Sequence, residues 1–179
     1  MIRILDLIIS IFCLILFFPI LLFFLILGFC ISGSPLFVQT RIGKDGKKFQ
    51  LFKLRTMKKN TISTATHLVP KSAITPVGVF LRFTKIDELP QLWNVILGDM
   101  SLVGPRPCLI SQKRLIIERK KRKILKVRPG ITGLAQINGI NMSKPVLLTK
   151  TDFKMLKTMN LYFYFYYLIK TLQFFTKKR

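Results

Sequence analysis

Asp87 and Glu88 stand side by side in "TKIDELPQLWNVILGDMSLVGPRP", residues 84–107 of a 179-residue chain with seven acids and a formal net charge of +23. A carboxylate can attack phosphorus or hold a hard cation, and two adjacent carboxylates can divide these tasks. They also suit the start of a helix. Leu89, Leu92, Trp93, Ile96 and Leu97 recur at helical spacing and Gly98 stops the run. Asp87 then reads as an N-cap, Glu88 as a first-turn acid, and Pro90 is tolerated. Capping needs no chemistry, so both readings stay open on these residues alone. A helix N-terminus also favours bound phosphate. Arg82 lies five residues before Asp87, and Arg106 follows between Pro105 and Pro107. Each can grip phosphate oxygens in a bidentate fork.

Other basic residues come from the element upstream. "PLFVQTRIGKDGKKFQLFKLRTM" reads as a β-hairpin, with strands over 36–41 and 49–57 and a turn at 43–46. Strand alternation sets Phe49, Leu51, Lys53 and Arg55 on one face, so Lys53 and Arg55 should project together. A charged strand edge that resists aggregation explains the same pattern. Residues 60–75 are polar and read as a loop. His67, the only histidine, lies there and is given no role. Downstream, "RPGITGLAQINGIN" is a glycine-rich loop whose backbone N–H groups could face a ligand. Gly130, Thr132, Gly133 and Gln136 are its candidate substrate contacts.

Thirty Lys and Arg residues imply an anionic partner, whether nucleic acid, lipid head groups or a phosphorylated substrate. Residues 113–128 carry nine of them and one acid, interleaved with apolar side chains. A helix lying on anionic lipid or on nucleic acid fits this run. Three isolated cysteines and one histidine make neither a disulfide framework nor a zinc cluster. Any metal would be a hard cation held by carboxylates and phosphates. The C-terminus, "LYFYFYYLIKTLQFFTKKR", reads as an interfacial helix with aromatic residues at head-group level, or as a packed core helix.

The N-terminal segment contains 25 consecutive uncharged residues, 7–31. As one straight helix it would be about 37 Å long, against about 30 Å for a bilayer core. No small-x-small cleavage site follows closely, which argues against a removable signal. Pro19 sits at its centre with twelve residues on each side, where it should break or kink the helix. A kinked span and a dip returning to the same face are both compatible with this pattern. The basic chain after Ile31 is expected to stay cytoplasmic.

The Pro-broken apolar N-terminus, the hairpin segment, "LRFTKIDELPQLWNVILGDMSLVGPRP" and "RPGITGLAQINGIN", in this order, resemble the bacterial sugar transferase family. These are the small monotopic phosphoglycosyl transferases acting on polyprenol phosphate, and the third stretch is highly specific. The resemblance reaches from the N-terminus to about residue 141. It implies an α+β, mainly helical fold: a re-entrant membrane helix over 1–32, broken at Pro19, and a membrane-associated catalytic domain over 33–179 with a β-hairpin and interfacial amphipathic helices. It implies transfer of a sugar-1-phosphate from a UDP-sugar to undecaprenyl phosphate, with release of UMP, at the cytoplasmic face of a bacterial inner membrane. The product would start a surface glycan, with downstream glycosyltransferases as partners and no nucleic acid. By the same resemblance Asp87 is the nucleophile of a covalent phospho-aspartate intermediate and Glu88, with Asp87, holds Mg²⁺. Lys53, Arg55, Arg82 and Arg106 are expected to bind phosphate.

The chain departs from the family pattern at four positions. Phe18 precedes the breaking proline where serine is usual, and Ile140 replaces an arginine. Val79 and Phe83 replace residues that are commonly basic, and Asp152 loosely matches a family acid. Two rival readings remain beside the enzyme. A membrane-tethered nucleic-acid binder would show steep salt dependence, though no known binding motif supports it. A non-catalytic scaffold would keep the fold without turnover.

Overall fold

A computed structural model describes residues 1–59, 61 and 71–176. Its architecture is mainly helical α+β, with one long N-terminal helix, two small sheets and six further helices among the described residues. His67 and most of the polar loop around it lie outside the described residues.

Helix α1 runs over Ile2–Ser32 and ends at Gly33, which adopts a left-handed φ of 64°. Only glycine takes that conformation without a steric cost. Helical structure continues through Pro19, so the expected break does not interrupt the helix. Proline costs one donor and crowds one carbonyl, and the turns on both sides carry on. The helix is long and apolar enough to cross a membrane, and only 6% of its most apolar window is buried by protein.

The two ends of α1 touch the same body of protein. Near the start, Ile2, Leu5, Ile9 and Leu14 pack against the main core. Near the end, Phe24 meets Phe80 of helix α2 (Pro76–Thr84), with ring centroids 6.1 Å apart. Polar residues fix the start. Asp6 is buried and accepts hydrogen bonds from Ser101 Oγ at 2.8 Å, the Leu102 N–H at 3.0 Å and the Tyr164 hydroxyl at 2.8 Å. Arg3 donates to the carbonyls of Val95 and Ile96 at 2.7 and 3.1 Å. These belong to the last turn of helix α3 (Gln91–Leu97), where helix carbonyls lack intrahelical partners.

The hairpin is present: β1 (Leu36–Ile42) pairs antiparallel with β2 (Lys48–Leu54) around a 3-10 turn at Lys44–Gly46. Strand β2 ends at Leu54, three residues earlier than expected. Phe49 and Leu51 enter the core with Leu92 and Val95 of α3. Asn94, fully buried, clamps the two elements together: its Nδ2 donates to the Gln50 carbonyl at 2.6 Å and its Oδ1 accepts from the Phe52 N–H at 3.1 Å.

A second, parallel pair joins β3 (Ser101–Val103) to β4 (Gly130–Thr132). Gly104 and Gly130 let these chains meet, because a Cβ on Gly130 would lie 2.0 Å from the Gly104 nitrogen. The basic run forms helix α4 over Lys113–Lys121 only. Lys123 then turns the chain left-handed, with a φ of 56°. Helix α4 is also not a free basic face. Arg119 is buried and pairs with Asp152 Oδ2 at 2.7 Å, on helix α6 (Pro145–Thr158), after the short helix α5 (Leu134–Ile137). Helix α7 (Leu161–Thr176) packs Tyr164 and Tyr167 into the core, while Tyr162, Phe165 and Tyr166 face outward. Its core reading therefore holds on one face, and the other face stays exposed.

Candidate active site

Helix α2 ends where Lys85 takes a left-handed φ of 62°, and the chain enters a 3-10 turn over Ile86–Glu88 that leads into α3. This corrects the capping expectation. The turn already has helical backbone at Asp87, and the position before α3 is Pro90, so neither acid caps a helix with its side chain. Both carboxylates are free for other work.

They sit in different surroundings. Asp87 is 6% exposed, and its Oδ1 is buried without a hydrogen-bond partner. Burial pushes its carboxyl above the ordinary aspartate value, and Lys53, Lys85 and Arg82 only partly offset this. Glu88 is ringed by cations: Lys53 Nζ at 2.8 Å, Arg106 Nη2 at 3.8 Å and Lys85 Nζ at 4.0 Å, all from Oε1. Burial alone would raise Glu88, but Lys53, Arg106 and Lys85 outweigh it and hold the carboxyl well below the usual range. Lys53 is in turn pushed down by burial, which its pairing with Glu88 opposes. Two neighbouring acids with opposed shifts are candidates for a functional pair.

Four of the expected basic side chains separate into two groups. Lys53 and Arg106 reach Glu88 directly. Arg82 is fixed by a 2.8 Å hydrogen bond from Nε to Thr56 Oγ1, and the Asp87 charge acts on its guanidinium. Arg55 is not brought here. Its Nε donates to the Ser34 carbonyl at 2.8 Å and its Nη2 to the Leu36 carbonyl at 3.1 Å, tying the end of α1 to the hairpin. Because β2 stops at Leu54, the alternation that paired Lys53 with Arg55 no longer applies at Arg55.

A cavity of about 780 Å³ opens beside the acids. Glu88, Lys85, Arg106 and Arg41 form its charged end, whereas Asp87, the residue before Glu88, is not among its lining residues, nor are Lys53 and Arg82. Cys13, Phe17 and Ile20 of α1 line another side, so the cavity reaches the apolar helix. The glycine-rich loop divides between roles. Gly130 and Gly133 serve close packing, since a Cβ on Gly133 would lie 2.6 Å from the Gly104 carbonyl oxygen. The Gly130 N–H donates to the Pro105 carbonyl at 2.9 Å. Thr132 and Gln136 line the cavity, as does Ile140. The Gln136 Oε1 is buried without a partner.

Sequence reading missed Lys85, for which the available signal was its position two residues before Asp87. It also missed Arg41, Asn94 and Arg119. Arg119 Nη1 donates to the Arg106 carbonyl at 2.7 Å, so the buried Arg119–Asp152 pair anchors the loop that presents Arg106. None of these partners can be inferred from spacing. No cluster of three or more metal-binding side chains occurs among the described residues. A hard cation nonetheless fits the pair. It needs only one or two carboxylates and completes its shell with substrate phosphates and water, and the Asp87 Oδ1 has no partner. The cations on Glu88 also all approach Oε1.

The sequence pattern of the family described as bacterial sugar transferase matches residues 1–178. An uncharacterized sugar transferase, EpsL of Bacillus subtilis (strain 168), is 49% identical over 110 residues, which is 61% of this chain and 54% of that one. The UDP-glucose:undecaprenyl-phosphate glucose-1-phosphate transferase of Escherichia coli (strain K12) is 47% identical over 114 residues, 60% of this chain and 24% of that protein. Its namesake in Klebsiella pneumoniae is 44% identical over 143 residues, 76% of this chain and 30% of that one. The matched stretch therefore spans about half or less of each of these relatives. A whole-chain match that also contains the paired acids and their cations leads to one conclusion: the chain belongs to the bacterial sugar transferase family.

Proposed function

We propose that the protein transfers a sugar-1-phosphate from a UDP-sugar to undecaprenyl phosphate, releasing UMP. The observation that carries this reading is the pairing of a buried, partnerless Asp87 oxygen with a Glu88 neutralised by three cations, beside a cavity that also touches an apolar helix. Such a site can meet a water-soluble diphosphate and a lipid phosphate at one depth.

In the first step an Asp87 carboxylate oxygen attacks the sugar-bearing phosphorus. An Asp87–phosphorus bond forms, the bond from that phosphorus to the bridging oxygen breaks, and UMP leaves with the electron pair. In the second step an oxygen of the lipid phosphate attacks the same phosphorus. The Asp87–phosphorus bond breaks, regenerating the carboxylate and giving a polyprenol diphosphate sugar. Asp87 has no hydrogen bond on Oδ1 to give up before it turns towards the phosphorus. Lys53 and Arg106 neutralise Glu88 and, with Arg82, surround the reacting phosphates with positive charge. Glu88, with Asp87, would hold Mg²⁺, which when bound would supply charge neutralisation on the diphosphate.

The helix reading belongs to the same proposal. Both ends of α1 contact one domain: Asp6 at one end through β3 and α7, Phe24 at the other through α2. A helix crossing the bilayer would carry one of those ends away from that domain. A dip from the cytoplasmic face, with Pro19 near its deepest point, accounts for both contacts. The outward Val79, Phe80 and Phe83 of α2 and Trp93 and Leu97 of α3 then lie at the lipid surface. This also gives the replacement of basic residues at 79 and 83 a physical reason.

The test is UMP release from a panel of UDP-sugars with detergent-solubilised protein, undecaprenyl phosphate and Mg²⁺. Release with at least one sugar, lost on chelation, is the expected result. Silence across the panel with folded protein would overturn the reading in favour of a scaffold. Topology is tested separately, by labelling cysteines placed at residue 1 and at the native Cys30 with an impermeant maleimide in oriented vesicles. Labelling of both from one side is expected, and labelling from opposite sides refutes the dip.

A further inference from the structure

Arg41 leaves β1 beside the charged end of the cavity and lines it together with Glu88 and Arg106. Its guanidinium is held in place by neutral acceptors only. Nη2 donates to Gln39 Oε1 at 2.6 Å, and Nη1 donates to the Pro107 carbonyl at 3.2 Å. Its Nε is buried and has no partner. No carboxylate forms an ion pair with Arg41 among the described residues. The nearby acid, Glu88, already pairs with Lys53, Lys85 and Arg106.

An unpaired cation withdrawn from water is costly, and removing its counter-charge normally destabilises a fold. Burial and the neighbouring Arg106 charge push the Arg41 guanidinium down to about 10, with the Glu88 charge opposing. A purely architectural residue here would need only two donors to two amide-type oxygens, which a neutral side chain can supply. A rigid, partly desolvated fork that spends only two of its five N–H donors matches a tetrahedral anion instead.

We infer that Arg41 is a phosphate-binding residue of this cavity, forming with Arg106 a two-arginine clamp on a phosphate group that no protein carboxylate neutralises. The inference rests on the phosphoryl-transfer reading of the site and adds a binding residue to it. The shared chemistry is a phosphate oxygen, which either the nucleotide diphosphate or the lipid phosphate can supply.

The full chain in detergent, as wild type, Arg41→Gln and Arg41→Lys, is titrated calorimetrically with UDP and, separately, with a short-chain polyprenyl phosphate. Thermal midpoints are recorded in parallel. Loss of a hydrogen bond to a charged group predicts about a ten- to hundred-fold rise in Kd for Arg41→Gln. Arg41→Lys keeps the charge but loses the fork, and a smaller rise is expected. A rise for UDP assigns the clamp to the donor, and a rise for the polyprenyl phosphate assigns it to the acceptor. Unchanged Kd for both ligands, or a wild type that binds neither, overturns the inference. If Arg41→Gln melts early, the folded Arg41→Lys decides by the same criterion. Binding is read without turnover, so an enzyme that binds UDP through Arg41 yet releases no UMP would refute the functional reading and leave the clamp standing.

Discussion

Replacing Asp6 by alanine asks whether the apolar helix and the domain beneath it are one cooperative unit. The Asp6 carboxylate is buried and is the acceptor for Ser101 Oγ, the Leu102 N–H and the Tyr164 hydroxyl, at 2.8, 3.0 and 2.8 Å. Alanine removes both acceptor oxygens, and with them all three hydrogen bonds. The Leu102 N–H cannot turn elsewhere, whereas the two hydroxyls can rotate. About 2 kcal/mol for the stranded amide and about 1 kcal/mol for each hydroxyl give a loss of about 4 kcal/mol. That is a large share of the roughly 5–15 kcal/mol that holds a typical domain together. For a chain of this size, 1 kcal/mol moves the thermal midpoint by about 2–4 °C, so a fall of about 8–16 °C is expected. The assay is thermal unfolding of detergent-solubilised protein by circular dichroism. Asp6→Asn serves as an intermediate, because it keeps one carbonyl acceptor. A fall of less than about 4 °C for Asp6→Ala, roughly 1 kcal/mol, would refute the claim that this carboxylate docks the helix.

Further outcomes are expected at the acids and at the buried pair behind Arg106. Asp87→Asn should abolish UMP release while the thermal midpoint holds or rises, since it removes a buried charge that has no partner on Oδ1; retained turnover in that variant excludes the covalent mechanism. In pH profiles at fixed free Mg²⁺, the acid limb of UMP release should lie above the ordinary aspartate value of 3.8, because burial raises Asp87 and only its carboxylate is nucleophilic. Lys53→Met should push that limb higher, because Lys53 opposes the rise. The stability effects of the two acids run in opposite directions. The contribution of Asp87 is present below 3.8 and lost as pH rises through its raised folded value, whereas that of Glu88 is present above 4.5 and lost as pH falls through its depressed one. Arg119→Met should cost about 3–5 kcal/mol in denaturant unfolding by leaving Asp152 buried and unpaired. Arg119→Met combined with Asp152→Leu should recover most of that stability but not full UMP release, because the Arg106 carbonyl has lost its donor.

Much of this protein follows from short-range pattern. The apolar run becomes α1, alternation and turn residues make the hairpin, and the adjacency of Asp87 and Glu88 is itself the candidate catalytic pair. Lys53 reaches Glu88 because β2 carries the expected alternation that far. The same rule fails two residues later, where the strand has ended and Arg55 turns to Ser34. Pattern also suggested caps at Asp87 and Glu88, yet the backbone at Lys85 decided otherwise by starting the helical turn early. Tertiary structure alone decided the remaining placements. Asp6 meets Ser101, 95 positions away in the chain, and Tyr164, 158 positions away. Arg119 finds Asp152 33 positions on, and Arg41 reaches Pro107 66 positions on. Periodicity specifies which face of an element is apolar, because the backbone repeats locally. A buried charge is matched only when distant elements pack, so its partner is a property of the assembled fold and not of its spacing in the chain.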